Sequence, residues 1–301
     1  MEPNIVLITG DDLEHRYVAN VLSSSLRLTG IVIDHGKKSG VIHAGRRLWH
    51  RYTVSQLISR ACLVAARTIW RDQSLRTARV MDVLGADNCA EFMHPELLWS
   101  VQGINGPGGM HAIRSLQPDI LLIYGTGIVA QKVLSVVRRI ALNMHTGISP
   151  YYRGCDCAFW PVHNEELHLL GATVHECTNN IDGGRIFGIA RATLHADDCL
   201  FAIFARCVQA GADLYVRTVQ ELLVSNLEGA TQDLSLGQEY KAFMRNVSAE
   251  WKTRRKVKQG LVRRYVERLP NANDVVLEKA HHQPGRELKD SVVCRNGDDV
   301  F

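Results

Sequence analysis

Residues 118–127 read PDILLIYGTG. The unbroken apolar run from Ile120 to Tyr124 is typical of a parallel strand that is buried on both faces. The glycines after it predict a turn, and apolar residues at helical spacing then continue to Val137. A further short strand is predicted at residues 141–145, which read ALNMH. Strand, helix and strand in this order indicate a parallel sheet with helices on its faces.

The same order of elements opens the chain and continues after residue 145. The further predicted elements are a strand at 4–9, a helix from 13 to about 22, strands at 30–33, 171–177 and 185–193, and a long helix at 199–224. The predicted fold class is therefore α/β, with a mostly parallel sheet flanked by helices.

Two regions lie outside this pattern. Residues 36–100 show helical periodicity without a strand signal, so we predict a helical insertion of two or three helices. Residues 226–301 are polar, and we predict a C-terminal extension that is mostly helical or irregular, with a helix near 248–267. Residues 1–225 are then the predicted main domain. We expect the insertion and the extension to select the substrate, because function on α/β scaffolds varies through appended segments.

Composition narrows the class of protein. The chain has 301 residues, of which 46% are hydrophobic and 22% charged, so disordered, collagen-like and coiled-coil classes are excluded. A formal net charge of +4 gives no electrostatic case for a dedicated nucleic-acid binder. No apolar window reaches the ~18 residues of a membrane span, and the N-terminus MEPNIVLITG does not read as a signal peptide. We therefore predict a soluble cytoplasmic protein with no membrane partner.

The cysteines and one glycine-rich segment are candidates for a metal site and a phosphate site, respectively. Eight scattered cysteines are read as reduced thiols, and the spacing of Cys155 and Cys157 does not match a zinc site, so no metal is expected. Residues 103–109 read GINGPGG but lack the lysine and hydroxyl groups of a phosphate cradle. The favoured interpretation is a loop without a phosphate site, which can still line the rim of a pocket.

The predicted strand at 141–145 carries two polar residues on one face. Asn143 and His145 are two residues apart, so their side chains point to the same side of the sheet. Buried polar groups are costly unless they are hydrogen-bonded or used. Ligands of open parallel sheets bind at the carboxyl ends of the strands, which is where this pair lies.

An ordered series of motifs follows. It comprises Asn143-Met144-His145, the turn Pro150-Tyr151-Tyr152-Arg153-Gly154, the strand Gly171-Ala172-Thr173-Val174-His175 and the turn Ile181-Asp182-Gly183-Gly184. The series resembles the signature of the folate-dependent formyltransferases, which act on glycinamide ribonucleotide, methionyl-tRNA or nucleotide sugars. The resemblance is strongest over residues 118–190. It departs from the common pattern at Thr146-Gly147, where many members have Pro-Ser, and after Asp182, where Gly-Gly replaces Thr-Gly.

The resemblance implies a Rossmann-like catalytic domain, the formyl donor 10-formyltetrahydrofolate and no metal. By the same resemblance, Asn143 and His145 donate hydrogen bonds to the formyl oxygen, and Asp182 orients His145 and relays the amine proton. The pterin of the folate is expected along the main chain of Thr126, Gly127, Ile128 and Val129 and beside the turn of Asp182. His175 is read equally as a packing residue or as support for catalysis.

The expected reaction is formyl transfer to a primary amine of a small molecule, with a nucleotide-linked amino sugar as first choice. Three alternatives stay open: a formyltetrahydrofolate hydrolase, a methionyl-tRNA formyltransferase and a folate-binding relative without catalysis. Methionyl-tRNA formyltransferases carry a C-terminal β-barrel, and residues 226–301 show no alternating strands, so this alternative is disfavoured. A basic run at 252–264 nevertheless leaves it open. We interpret this run as a solvent-exposed helix face rather than as a contact for an anion. The sequence leaves the amine and the oligomeric state, including a homodimer, undetermined.

Overall fold

The computed structural model describes residues 2–36 and 53–268 of the chain. The strands of this part are β1 (Ile5–Thr9), β2 (Leu28–Asp34), β3 (Leu98–Val101), β4 (Ile120–Tyr124), β5 (Ile140–His145), β6 (Tyr152–Gly154), β7 (Gly171–Glu176), β8 (Ile186–Arg191) and β9 (Gln238–Tyr240). Its α-helices are α1 (Leu13–Ser25), α2 (Val54–Ile69), α3 (Asp72–Leu84), α4 (Ala86–Ala90), α5 (Pro107–Leu116), α6 (Gln131–Leu134), α7 (Trp160–His163), α8 (Leu200–Val224), α9 (Val247–Lys258) and α10 (Leu261–Arg268).

Seven strands form one sheet in the order β3-β2-β1-β4-β5-β7-β8. The first five are parallel to one another, and β7 and β8 are antiparallel additions at one edge. The prediction of an α/β fold with a mostly parallel sheet is confirmed. The parallel strands place their carboxyl ends along one edge, where the motif residues of β5 also end.

Both faces of the sheet are covered, as the continuous apolar strands predicted. Leu7, Leu122 and Leu142 pack on one face in a core that includes α1 and α8. Ile8 and Ile123 pack on the other face in a core that includes α5. Alternate residues of one strand therefore enter different cores.

Three short strands were not predicted. β3 joins the edge of the sheet beside β2, at the end of the region that we interpreted as purely helical. β6 and β9 have three residues each and pair in parallel as a separate two-stranded sheet. The paired residues, such as Tyr152 and Gln238, are 86 positions apart in sequence, so no local pattern indicates the pairing.

Apart from β3 and the residues just before it, the described part of the insertion is mostly helical. Residues 54–90 form α2, α3 and α4, and the part of the insertion at 37–52 lies outside the described residues. In the extension, α9 and α10 occupy the range of the predicted helix, while residues 269–301 lie outside the described part. No helix among the described residues is long and apolar enough to cross a membrane.

Candidate active site

The end of β5 and the antiparallel strand β7 bring the first polar residues together. In the register of this pair, Asn143 lies opposite His175 and His145 lies opposite Thr173. The Nδ2 of Asn143 is 3.2 Å from the Nε2 of His175. His175, which the sequence left between packing and catalysis, is thus a direct neighbour of Asn143.

Asp182 lies between two imidazole rings. Its Oδ2 is 3.4 Å from the Nδ1 of His145, and its Oδ1 is 3.3 Å from the Nε2 of His175. The side chains of His145, His175 and Asp182 expose 8%, 3% and 13% of their surfaces. The backbone N–H of Gly154 also donates to Oδ2, at 2.8 Å. The structure therefore brings together the three residues predicted to be catalytic and adds His175.

Backbone carbonyls define where the imidazole protons lie. A carbonyl oxygen only accepts, so Nε2 of His145 donates to the carbonyl of Tyr152 (3.0 Å), and Nδ1 of His175 donates to the carbonyl of Glu176 (2.9 Å). The remaining nitrogen of each ring, Nδ1 of His145 and Nε2 of His175, faces the Asp182 carboxylate. A proton taken up by either nitrogen would therefore lie beside the Asp182 carboxylate and be stabilised by its charge.

The electrostatics of the site favour a charged Asp182 and a neutral His145. Burial lowers the pKa of His145 below its usual range, although the Asp182 carboxylate acts in the opposite direction. Burial also opposes ionisation of Asp182, but His145, His175 and the Gly154 N–H outweigh it and hold the carboxyl pKa well below its usual range. At neutral pH Asp182 is therefore charged and His145 is neutral.

The turn that carries Asp182 is held by a residue that the sequence analysis did not single out. Asp182 has a left-handed backbone with φ of 47°, which is uncommon outside glycine. Gln232, in the extension, donates from Nε2 to the carbonyls of Asp182 (3.0 Å) and of Gly184. Gly184 itself must be a glycine, because a Cβ there would lie 2.0 Å from the carbonyl oxygen of Glu176.

Gly147, one of the two departures from the family pattern, has a steric reason. A Cβ at this position would lie 2.5 Å from Nε2 of His145 and 2.6 Å from the Cβ of Cys157. The turn after β5 is held by Thr173, whose hydroxyl accepts from the Ser149 N–H (3.0 Å) and donates to the Gly147 carbonyl (2.7 Å). A glycine at 147 thus allows the loop to pass directly over the His145 ring.

The predicted folate segment follows β4, the strand beside β5. Ile128 is 71% exposed, whereas Val129 is buried in the core beneath it. Asn105 fixes this segment by donating to the Ile128 carbonyl (2.7 Å) and accepting from the Ala130 N–H (2.7 Å). Thr126 to Val129 therefore form a rigid, partly apolar shelf, and the glycine-rich loop at 103–109 supports it. Within the described chain, no hydrogen bond joins this shelf to Asp182.

A cavity of about 750 Å³ opens beside His145, within the usual volume range of small-molecule sites. Its wall includes Thr146 and Gly154 near His145, residues of α2 and α3 from the insertion, and residues at the start of α8. The residues from the insertion and the extension are Val64, Arg67, Thr68, Arg71, Asp72, Gln73, Ser74, Arg76 and Arg245. Both appended regions thus contribute to the wall of the cavity.

One group of potential metal ligands lies within the described residues. Single ligand atoms of Asp12, Glu14 and His15 come within 4.8 Å of one another. Two of the three residues have other partners, because Glu14 pairs with Arg76 and the Nδ1 of His15 accepts from the Asp12 N–H at 3.0 Å. Cys157 is buried beside His145, and burial raises the pKa of its thiol, which keeps it protonated.

Comparison with known proteins finds formyltransferases among the relatives of the chain. No family model matches the chain. The methionyl-tRNA formyltransferase of Chlorobium chlorochromatii is 26% identical over 136 residues, which is 45% of this chain and 43% of that protein. The enzyme of the same name from Limosilactobacillus fermentum is 26% identical over 188 residues, which is 62% of this chain and 56% of that protein. The chain thus spans about half the length of the curated relatives it matches.

A solved structure supports the fold. Phosphoribosylglycinamide formyltransferase from Anaplasma phagocytophilum aligns with a TM-score of 0.50 and 12% identity, over 77% of this chain and 94% of that one. The sequence relatives and this structural neighbour are all formyltransferases, which confirms the resemblance drawn from the motifs.

Proposed function

We propose that the chain is an N-formyltransferase that moves a formyl group from 10-formyltetrahydrofolate to a primary amine of a small molecule, a nucleotide-linked amino sugar being the first candidate. The observation that carries the proposal is the buried Asp182 carboxylate, flanked by His145 and His175 nitrogens at 3.4 and 3.3 Å, with a large cavity next to His145. Formyl transfer needs a proton acceptor beside an amine site, and this arrangement supplies both.

The chemistry follows from the donors and acceptors of the site. The amine nitrogen attacks the formyl carbon, and negative charge develops on the formyl oxygen. Asn143 has two N–H groups on Nδ2, and one of them remains for this oxygen while the other is directed at His175. His145 lines the cavity, and its Nδ1, once it carries a proton, is the second proposed donor.

The proton of the amine is assigned to the carboxylate and its imidazoles. It moves, directly or through water and relayed by Asp182, to the facing nitrogen of His145 or His175, where the carboxylate stabilises the positive charge. Because burial lowers the pKa of His145, the ring holds this proton weakly and releases it to the departing folate nitrogen as the carbon–nitrogen bond breaks. The cycle leaves the site in its original charge state.

The folate is proposed to bind on the shelf of Thr126, Gly127, Ile128 and Val129. An exposed isoleucine and a backbone that is unobstructed at Gly127 suit a flat heterocycle. The shelf lies at the end of β4 and the catalytic pair at the end of β5, which are adjacent strands. The proposed division of labour is a catalytic domain at 1–225, with the insertion at 36–100 and the extension at 226–301 completing the acceptor cavity.

The basic run of the extension bears on the transfer-RNA alternative. Arg254 pairs with Asp72 and Glu250, Lys256 pairs with Glu165, and Arg263 pairs with Asp197. These cations are engaged in ion pairs within the protein, so less of the run is available for phosphates than its sequence suggests. The size of the cavity likewise favours an amine acceptor over hydrolysis, which needs room only for water.

The test is incubation with 10-formyltetrahydrofolate and a panel of amines, including nucleotide-linked amino sugars, read by mass spectrometry for one added formyl group. Formate release at the same rate with and without amines would identify a hydrolase instead. Formylation of methionyl-tRNA alone, with a steep dependence on salt, would identify the second alternative. Folate binding without turnover across the panel would identify a non-catalytic relative.

A further inference from the structure

Arg71 joins α2 to α3 and lines the cavity that contains His145. Its backbone is left-handed, with φ of 56° and ψ of 36°. It is the second residue after the end of α2, a place where left-handed backbone usually belongs to glycine or asparagine, because other side chains crowd the backbone. The chain keeps an arginine where a glycine would be less strained, and residues strained in this way concentrate at binding sites.

The other charged residues of the cavity wall have partners. Arg67 pairs with Glu250 (3.1 Å), and Arg245 pairs with Asp156 and Glu250 (2.7 Å each). Of the remaining wall residues, Arg76 pairs with Glu14 and Asp72 pairs with Arg254. The buried Glu250 is shared by three arginines.

Arg71 has no ion-pair partner within residues 2–36 and 53–268. The network of paired groups around it contains four arginines and four carboxylates, so Arg71 adds a positive charge that no acidic group balances there. Arg71 is exposed at the cavity wall, so its guanidinium is accessible to an anionic ligand, and its planar fork can donate two parallel hydrogen bonds to a phosphoryl group.

Neighbouring features support an anion at this place. Gln73 and Ser74, in the first turn of the 13-residue helix α3, also line the cavity. The first backbone N–H groups of a helix lack intrahelical partners and favour negative charge. The half-buried rings of Phe201 and Phe204 form an apolar part of the same wall. The wall therefore offers one cationic group and one apolar surface to the same ligand.

We propose that Arg71 is a specificity-determining residue that binds a phosphoryl group of the acceptor, while the apolar part of the acceptor packs on the α8 aromatics and its amine reaches His145. That the ligand is the formyl acceptor rests on the proposed function, whereas the anion site itself does not. The site selects amines that carry a phosphate or diphosphate and discriminates against neutral amines.

The first experiment measures anion binding without catalysis. Inorganic pyrophosphate is titrated into the full-length protein by calorimetry, with acetate as a second arm to separate phosphoryl recognition from general anion binding. We expect pyrophosphate to bind, acetate to bind at least tenfold more weakly, and Arg71→Gln to weaken pyrophosphate about tenfold or more. Arg79→Gln, which removes a charge from the same helix outside the cavity wall, should leave binding unchanged. Absence of pyrophosphate binding, or equal losses in both variants, overturns the anion site.

A second variant separates binding from folding. Arg71→Gly relieves the left-handed strain, so its melting temperature should equal or exceed that of the wild type while its pyrophosphate affinity falls as in Arg71→Gln. With an active amine in hand, both variants should raise the KM for that amine and leave the KM for the folate unchanged. If pyrophosphate binding depends on Arg71 but no amine is formylated, the proposed function fails and the anion site stands. If amines are formylated with the same KM in Arg71→Gln, the proposed role of Arg71 toward the acceptor fails.

Discussion

Asn143 occupies a position where one amide group can serve two purposes. One N–H of its Nδ2 is directed at His175, and the other is available for a ligand at the carboxyl end of β5. If Asn143 and His145 donate to the developing oxyanion, Asn143→Ala and His145→Ala should each lower kcat by about 10²–10³, or about 2.7–4 kcal/mol, with little change in folate affinity. Asp182→Asn should lower kcat as well, because it keeps the shape and removes the charge that orients His145 and relays the proton. Turnover is measured with the amine that the mass assay identifies.

The same samples decide between a catalytic and a structural role. Residues that only fill the core would lower the melting temperature and leave the rate per folded molecule near normal. The three losses should also not add, since the residues act as one unit. Variants that melt early yet keep more than about a tenth of the turnover would contradict the assignment of Asn143, His145 and Asp182.

Sequence reasoning reached some of these residues and not others, for physical reasons. Asn143 and His145 were accessible because strand periodicity placed both on one face, and the motif order then added Asp182. Gln232 and Arg71 were not accessible, since neither lies in a motif. Gln232 acts through backbone carbonyls about 50 residues away, and the strain at Arg71 exists only in the folded backbone.

At the scale of elements, the segment before β9 supports the catalytic turn. Gln232 donates to the carbonyls of Asp182 and Gly184, which holds the left-handed backbone of Asp182. Gln232→Ala should therefore lower kcat by about tenfold to a hundredfold and change the KM of the acceptor less, because misplacement of a catalytic group affects the reacting geometry first. Steady-state kinetics of the variant measure this split.

A matched control for this substitution lies six residues further on. Gln238 is exposed and contributes its backbone N–H to the Tyr151 carbonyl, so Gln238→Ala should keep both kcat and stability. Gln232→Glu extends the test, since it replaces the donor with a carboxylate that faces two carbonyls and should be worse than Gln232→Ala. Equal activity in Gln232→Ala and Gln238→Ala would remove Gln232 from its positioning role.

Glu250 in α9 links the extension to the insertion. Burial opposes ionisation of its fully buried side chain, but Arg245, Arg67 and Arg254 outweigh this and lower the pKa of the carboxyl from 4.5 to about 2. A carboxyl with a depressed pKa in the folded state contributes stability that is complete above pH 4.5 and is lost as the pH falls toward 2. The difference corresponds to on the order of 3 kcal/mol.

The prediction is a difference between two pH profiles of unfolding. In the wild type, the free energy of unfolding should fall between pH 4.5 and 2, and in Glu250→Gln this part of the fall should be absent and the protein less stable at pH 7. Asp82→Asn changes an exposed carboxylate of α3 and should reproduce the wild-type profile. Parallel profiles for wild type and Glu250→Gln in chemical denaturation would contradict the role given to Glu250.

The elements that the sequence predicted well share a property that β3, β6 and β9 lack. β1 and β4 are apolar runs that are buried along their whole length, so their own residues indicate their state. β5 begins with the apolar residues Ile140, Ala141 and Leu142. β6 and β9 are three residues long and exist because Tyr152 and Gly154 meet Gln238 and Tyr240 from a distant part of the chain. Strands of three residues are too short to show the alternation of apolar and polar residues from which a strand is predicted.

For the whole molecule, the extension joins the parts that form the site. Tyr240 packs with Tyr152 and Trp160 in one buried cluster. Leu261 and Val262 belong to a second cluster, which also contains core residues of α8. Together with Glu250 and Gln232, these contacts tie residues 226–268 to α2, to α8 and to the turn of Asp182. The sequence alone showed a polar segment and therefore suggested an appendage that only selects the acceptor.

This integration changes what removal of the extension should do. If the extension only selected the acceptor, a chain that ends near residue 226 would keep folate binding and lose amine use. Tyr240, Leu261 and Val262 belong to two buried apolar clusters, and a chain ending at 225 would expose the remaining residues of both. Because each buried apolar side chain contributes about 1.5–3 kcal/mol, we expect instead that this chain shows no cooperative thermal transition. A chain ending at 268 keeps every described contact and should unfold cooperatively. Calorimetry and folate titration of both chains separate the two expectations, and a 1–225 chain that melts cooperatively and binds folate would restore the view of the extension as an appendage.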